Sequence, residues 1–180
     1  MKSGILLLLA LSINLCAAQE FNQEINTQNG HQFLVGPITL EGLQNEPYKG
    51  WFDSSYNSYM VDKSLTKMMK KQLKNYDLKL FLGTWCGDSK REMPRIIKIL
   101  QEAKFPMENL EIIALDRRKE FYKKSPGGEE KGLNIIKVPT LIFFKDGKQV
   151  NRIVESPIAS LEEDILSILK GTSYIPNYSK

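Results

Sequence analysis

The chain has 180 residues, 42% of them hydrophobic and 26% charged, which is typical of a globular protein with one domain of ordinary size and some extra length. The formal net charge is +4, and no basic run is interleaved with aromatic residues. A surface that binds nucleic acid needs concentrated positive charge, so the composition argues against that class of function.

The first 18 residues have the pattern of a secretory signal peptide. Lys2 precedes the apolar run ILLLLALSINL, and the small residues of CAAQ follow it. The apolar run is shorter than a typical membrane-spanning helix. We therefore predict cleavage after Ala18 and an exported mature chain, periplasmic or in the cell envelope, without a membrane span. The alternative, a lipoprotein acylated on Cys16, is disfavoured because Leu15 stands where a small residue should precede the lipidated cysteine.

The cysteine count indicates a single thiol in the mature protein. The full chain contains Cys16 and Cys86, and the predicted cleavage leaves Cys86. A single cysteine in an exported protein either pairs with another molecule or forms a reactive site. No group of Cys and His residues has the spacing of a zinc site, and His31 lies far in sequence from Cys86. We predict no metal and no cofactor.

Residues 19–61 show no sustained hydrophobic period. They are rich in Asn, Gln, Gly and aromatic residues. We interpret them as a mostly irregular extension that packs on the domain through Trp51, Phe52 and some of the tyrosines. One short strand is expected in HQFLVGPITL, ended by Gly36 and Pro37.

The pattern becomes regular from residue 62. DKSLTKMMKKQLKN predicts a helix and DLKLFLGT a buried strand. A second helix follows Cys86 and contains Pro94, and LEIIALD predicts a second buried strand. The polar stretch RRKEFYKKSPGGEEKGLN predicts a loop around a short helix.

The last part of the chain predicts a hairpin and a helix. VPTLIFFKDGKQVNRIV contains two strand patterns joined at Asp146 and Gly147. A final helix is expected to start at Pro157, capped by Ser156. The whole order predicts an α/β fold with a mixed central sheet and helices on both faces.

Three features of this region resemble the thioredoxin family. WCGDS, which contains Cys86, stands between a buried strand and a helix, where the family carries Trp-Cys-x-x-Cys. Pro94 lies in the following helix where the family has its kinking proline, and KVPT precedes a strand as the family's cis-proline does. The resemblance covers roughly residues 62–171. It implies a thioredoxin fold for a domain at residues 62–180, similar to the envelope thioredoxin-like proteins of bacteria.

The resemblance also implies a functional site. Cys86 would be the nucleophile, since the helix N-terminus favours its thiolate form. Ser89 replaces the family's second cysteine, and we expect its hydroxyl to donate to the sulfur as the second catalytic residue. Val138 and Pro139 would contact a bound substrate strand, and Trp85 would form the rim of the substrate site.

Two basic residues are expected to support the thiolate. Lys90 and Arg91 lie one turn into the same helix and add positive charge. Leu80 stands where thioredoxin has a buried aspartate that helps proton transfer. Together with Ser89, this departure argues against full dithiol chemistry.

Two functions remain open at this stage. The first is thiol–disulfide exchange through Cys86 on protein or small-molecule thiols and disulfides, by an oxidoreductase or isomerase of monothiol type. The alternative is a non-catalytic binding module that holds a peptide or protein partner on the same surface.

Overall fold

A computed structural model describes residues 20–179 of the chain. The predicted signal peptide, residues 1–18, lies outside the described residues. Within them a six-stranded mixed sheet has the strand order β1-β2-β4-β3-β5-β6. The strands are β1 (Gln23–Asn26), β2 (Gln32–Ile38), β3 (Asp77–Leu82), β4 (Leu110–Ala114), β5 (Thr140–Lys145) and β6 (Lys148–Val154). β3 and β4 pair in parallel, and the other neighbouring strands pair antiparallel.

Four α-helices and short 3₁₀ turns complete the described part of the chain. The α-helices are α1 (Lys49–Ser58), α2 (Lys63–Leu73), α3 (Gly87–Glu102) and α4 (Leu161–Leu169). The 3₁₀ turns are Gly42–Gln44, Met107–Asn109 and Lys119–Phe121. No helix within residues 20–179 is long and apolar enough to cross a membrane.

The two faces of the sheet are covered differently. On one face, alternate strand residues such as Leu78, Leu80 and Leu82 join side chains from all four α-helices in a single large core. On the other face, Phe81, Ile113 and Ile142 form a smaller core that is covered by Trp85 and by the long connection between β4 and β5. That connection carries the 3₁₀ turn Lys119–Phe121. The predicted α/β fold, with a mixed sheet and helices on both faces, is confirmed, with most of the helical structure on one face.

The prediction of an irregular extension at residues 19–61 is wrong for most of this segment. β1 and β2 form an antiparallel hairpin, and β2 pairs with β4 over Gly36–Ile38, so the hairpin extends the central sheet. α1 packs on α3, where Ser55 Oγ donates to Arg91 O at 2.7 Å and Tyr56 OH to Gln101 Oε1 at 2.6 Å. The short strand expected in HQFLVGPITL is present as β2, but it runs through Gly36 and Pro37 to Ile38 rather than ending there.

These elements have weak hydrophobic patterns in the sequence, for physical reasons. β2 is buried on both faces at Phe33–Val35, so it lacks the apolar–polar alternation of a half-exposed strand. α1 buries one residue, Phe52, and therefore has no apolar stripe. Its hydrogen bonds to α3, from Ser55 and Tyr56, are contacts that a hydrophobic period cannot predict.

The other predicted boundaries hold except at the last helix. Asp62 caps α2, Pro94 lies inside α3, and the β5–β6 hairpin turns at Asp146 and Gly147. α4 begins at Leu161 rather than at Pro157.

The later start of α4 has a local cause. Ser160 Oγ accepts the Glu163 N–H at 3.1 Å, so Ser160 and not Ser156 is the cap. The buried Asp164 carboxylate accepts the N–H groups of Ile158 and Ala159, which holds the residues before Leu161 in a turn.

One buried hydrogen bond connects the N-terminal hairpin to the segment that precedes Cys86. The Leu34 N–H in β2 donates to Thr84 Oγ1 at 3.0 Å, and both residues are buried. The hairpin is thereby tied to the turn that follows β3 and leads into α3.

We predict that Thr84→Val lowers the free energy of unfolding by about 1–3 kcal/mol, because it leaves the buried Leu34 N–H without its acceptor. Urea unfolding followed by circular dichroism measures the change. Thr172→Val is the matched control, since the Thr172 hydroxyl donates to Ser167 O at the exposed surface. An equal loss in both variants would contradict a special role for Thr84.

Candidate functional site

Cys86 lies at the junction of β3 and α3. It is the N-cap residue of α3, with extended backbone angles (φ −94°, ψ 129°), and its thiol is free and half-buried. Its N–H donates to Gly83 O at 2.8 Å, and its carbonyl accepts the Lys90 N–H at 3.0 Å. The predicted position of Cys86 at the start of the helix is confirmed, whereas its role as nucleophile stays a prediction.

The sulfur faces the segment that precedes β5. Cys86 Sγ lies 3.4 Å from Val138 O and donates its hydrogen to that carbonyl. The Val138–Pro139 peptide bond is cis, both residues are buried, and Pro139 O accepts the Glu155 N–H at 2.7 Å. The structure thus brings Cys86, Val138 and Pro139 together.

Ser89 is fully buried and does not bond the sulfur. Its Oγ accepts the N–H of Gly83, the residue after β3, at 3.1 Å. The predicted donation to Cys86 is therefore wrong for this structure. The first turn of α3 directs the side chain inward to the end of β3, where it serves the backbone of the turn.

Trp85 is fixed in place by its own contacts. Its indole Nε1–H donates to Leu115 O at 2.7 Å, and its ring packs on the smaller core. A Cβ on Gly83 would come within 2.6 Å of the ring, so only glycine fits there. The ring lies 5.7 Å from that of the half-exposed Tyr122. Its predicted role at the rim of a substrate site remains a prediction.

Asp116 organises the loop that carries Tyr122. The carboxylate is buried and accepts the Arg118 N–H at 2.7 Å and the Arg118 guanidinium at 2.6 Å. Its backbone N–H donates to Lys124 O, and its carbonyl accepts the Lys123 N–H, both at 2.9 Å. These bonds close residues 116–124 into a compact loop beside Trp85.

The expected positive charge of Arg91 is already paired. Its guanidinium contacts Asp88 Oδ1 at 2.9 Å and Glu92 Oε1 at 2.5 Å. The hydrogen bond to Glu92 is the main cause that raises the pKa of Arg91. Arg91 therefore balances two carboxylates of its own helix, and its predicted support of the Cys86 thiolate stays a prediction. The part predicted for Lys90 remains a prediction.

Another lysine, Lys123, contacts the same segment before β5 that the sulfur contacts. Lys123 is half-buried, donates through Nζ to Ile136 O, and lies 5.1 Å from the ring centre of Tyr122. Burial and the charge of Lys137 lower the pKa of Lys123, while negative charge at Cys86 and Glu155 raises it. Lys123 stands in a polar, aperiodic loop far from Cys86 in sequence, so no local pattern connects the two residues.

Other chemistry has little support in the described residues. Within residues 20–179 no group of three or more His, Cys, Asp or Glu side chains could hold a metal ion. His31 is exposed in the β1–β2 turn, where its backbone bonds Thr27.

The comparisons with known proteins give one relative and several similar structures. No family model matches the chain. The thioredoxin-like protein R548 of Acanthamoeba polyphaga mimivirus is 31% identical over 91 residues, which is 48% of this chain and 57% of that protein. The chain thus spans little more than half the length of this relative.

Among solved structures, a protein of unknown function, PA1234 from Pseudomonas aeruginosa, matches with a TM-score of 0.50 at 18% identity, over 68% of this chain and 84% of that one. Fasciola hepatica thioredoxin has a TM-score of 0.37 at 18% identity, over 61% and 91% of the two chains. Mitochondrial thioredoxin 3 from Saccharomyces cerevisiae has a TM-score of 0.35 at 24% identity, over 62% and 96%.

The fold is thioredoxin-like. The topology of the mixed sheet, the cysteine at the start of α3 and the proline segment before β5 agree with the resemblance found in the sequence.

Proposed function

We propose that the protein is an exported thioredoxin-like protein that carries out thiol–disulfide exchange through Cys86 alone. The observation that carries this proposal is a free, half-buried thiol at the N-terminus of α3, beside the segment with the cis Val138–Pro139 bond. A helix N-terminus favours the thiolate, which is the reactive form in exchange. The resolving position holds Ser89, buried and bonded to Gly83.

The chemistry that such a site can perform is limited to one thiol. The Cys86 thiolate attacks one sulfur of a substrate disulfide, a Cys86–sulfur bond forms, the substrate S–S bond breaks, and the other sulfur leaves as a thiolate. A second thiolate, from the substrate or from a small thiol, then attacks the mixed disulfide and releases Cys86. The cycle exchanges bonding partners without net oxidation of the protein. It suits isomerisation or the removal of a small thiol cap.

We predict that the full-length chain carrying Cys16→Ser, incubated with oxidised glutathione, forms a mixed disulfide on Cys86 that persists until a reductant is added. No resolving thiol is present to release it. Intact-mass measurement detects the adduct, and adding Cys86→Ser to this chain abolishes it. The binding-module alternative predicts peptide partners held equally by the wild type and Cys86→Ser in the presence of reductant. That result would overturn the exchange proposal.

We also predict that Ser89→Cys raises catalytic insulin reduction severalfold over the wild type. The new thiolate can attack the mixed disulfide from within the site. The turbidity of precipitating insulin chains gives the rate. Ser64→Cys is the control, since Ser64 also lies in the first turn of a helix, at an exposed position in α2. A wild type that already matches Ser89→Cys would contradict the single-thiol mechanism.

Export is a separate part of the proposal, and it rests on the sequence of residues 1–18. Protein recovered from the cell envelope is expected to begin at Gln19, as intact-mass measurement would reveal. Retention of Met1, or a lipid on Cys16, would reject this prediction.

A further inference from the structure

We propose that Lys123 is a positioning residue for the exchange reaction, and that its ammonium group stabilises the thiolate form of Cys86. The inference rests on the proposed function, since it assigns Lys123 a part in the reactivity of Cys86. It concerns a residue of the loop between β4 and β5, well outside the Cys86 motif.

The loop holds the Lys123 backbone in a fixed orientation. The Lys123 N–H donates to Asp116 O at 2.9 Å, and the neighbouring Lys124 carbonyl accepts the Asp116 N–H at 2.9 Å. Lys123 has φ of 58°, in the left-handed region, which residues with a side chain adopt at a cost. The buried Asp116 therefore determines the direction in which the lysine side chain leaves the backbone.

The end of the side chain is also held, close to the site. Lys123 Nζ donates to Ile136 O, and Cys86 Sγ donates to Val138 O at 3.4 Å. The ammonium group and the sulfur thus contact carbonyls of the same short segment, two residues apart. Tyr122 lies beneath the ammonium group at 5.1 Å and contacts Trp85, which precedes Cys86.

In the described residues no ion pair neutralises the charge of Lys123, whereas the charge of Lys137 is neutralised by one. Lys137 Nζ pairs with Glu155 Oε1 at 3.1 Å, and Glu155 also accepts the Tyr178 hydroxyl. Within residues 20–179, Lys123 has no carboxylate at ion-pair distance. On α3, Arg91 is paired with Asp88 and Glu92.

The electrostatic effect is reciprocal. Burial and Lys137 lower the pKa of Lys123, and a negative charge on Cys86 raises it. Each charge therefore stabilises the other, and loss of the ammonium group removes a stabilising partner of the thiolate.

The test is the pH dependence of Cys86 alkylation by iodoacetamide in the full-length chain carrying Cys16→Ser. Lys123→Gln is expected to react about three- to tenfold more slowly near neutral pH. Its rate should converge with that of the parent at alkaline pH, where both thiols ionise. Lys123→Arg keeps the charge and should restore the rate, and Lys124→Gln, at the exposed neighbouring position, should match the parent.

Three outcomes would overturn the inference. They are equal rates for Lys123→Gln and the parent at every pH, a deficit that persists at alkaline pH, and failure of Lys123→Arg to restore the rate. If Lys123→Gln unfolds, Lys123→Met, which keeps the aliphatic stem over Tyr122, decides by the same criteria. Alkylation needs no disulfide substrate, so failure of the mixed-disulfide experiment would reject the proposed function without deciding the part of Lys123.

Discussion

The candidate site depends on the central position of β3 in the sheet. This strand is hydrogen-bonded on both sides, in parallel to β4 and antiparallel to β5. Leu80, Phe81 and Leu82 are completely buried. A strand so enclosed cannot shift its register without moving apolar side chains from one core to the other. The turn that follows β3 therefore lies at a fixed place at the end of the sheet, and Cys86 lies there with it.

Three contacts then hold that turn from different directions. Thr84 accepts the Leu34 N–H of the N-terminal hairpin, and Trp85 donates to Leu115 O after β4. Ser89 reaches back from α3 to the Gly83 N–H. A buried N–H without a partner costs about 1–3 kcal/mol, so the serine contributes to stability in a way that needs no redox chemistry. Because Ser89 is buried and accepts the Gly83 N–H, its hydroxyl does not bond the sulfur, which donates to Val138 O instead.

The sequence was sufficient for the parts of the fold that have a regular period. α3 with Pro94, the apolar strand β3 and the turn at Asp146 and Gly147 follow from local patterns. α1 was missed because its polar contacts with α3 leave no period to detect, and β2, buried on both faces, was predicted without its continuation to Ile38. Within the site, sequence reasoning brought Cys86 to Val138 and Pro139. It did not predict the side-chain partners. Ser89 Oγ accepts the Gly83 N–H, and Arg91 pairs with carboxylates of its own helix.

The charged residues around the sulfur show why local sequence patterns do not predict side-chain partners. The first turn of α3 offers the sulfur a helix N-terminus, but its arginine is paired with Asp88 and Glu92. Lys123, which has no carboxylate at ion-pair distance within residues 20–179, comes instead from a loop that the bonds of the buried Asp116 close. Asp116 reads in the sequence as a simple strand end. In the structure it connects the end of β4 to the loop that carries Lys123, a segment that shares no motif with Cys86.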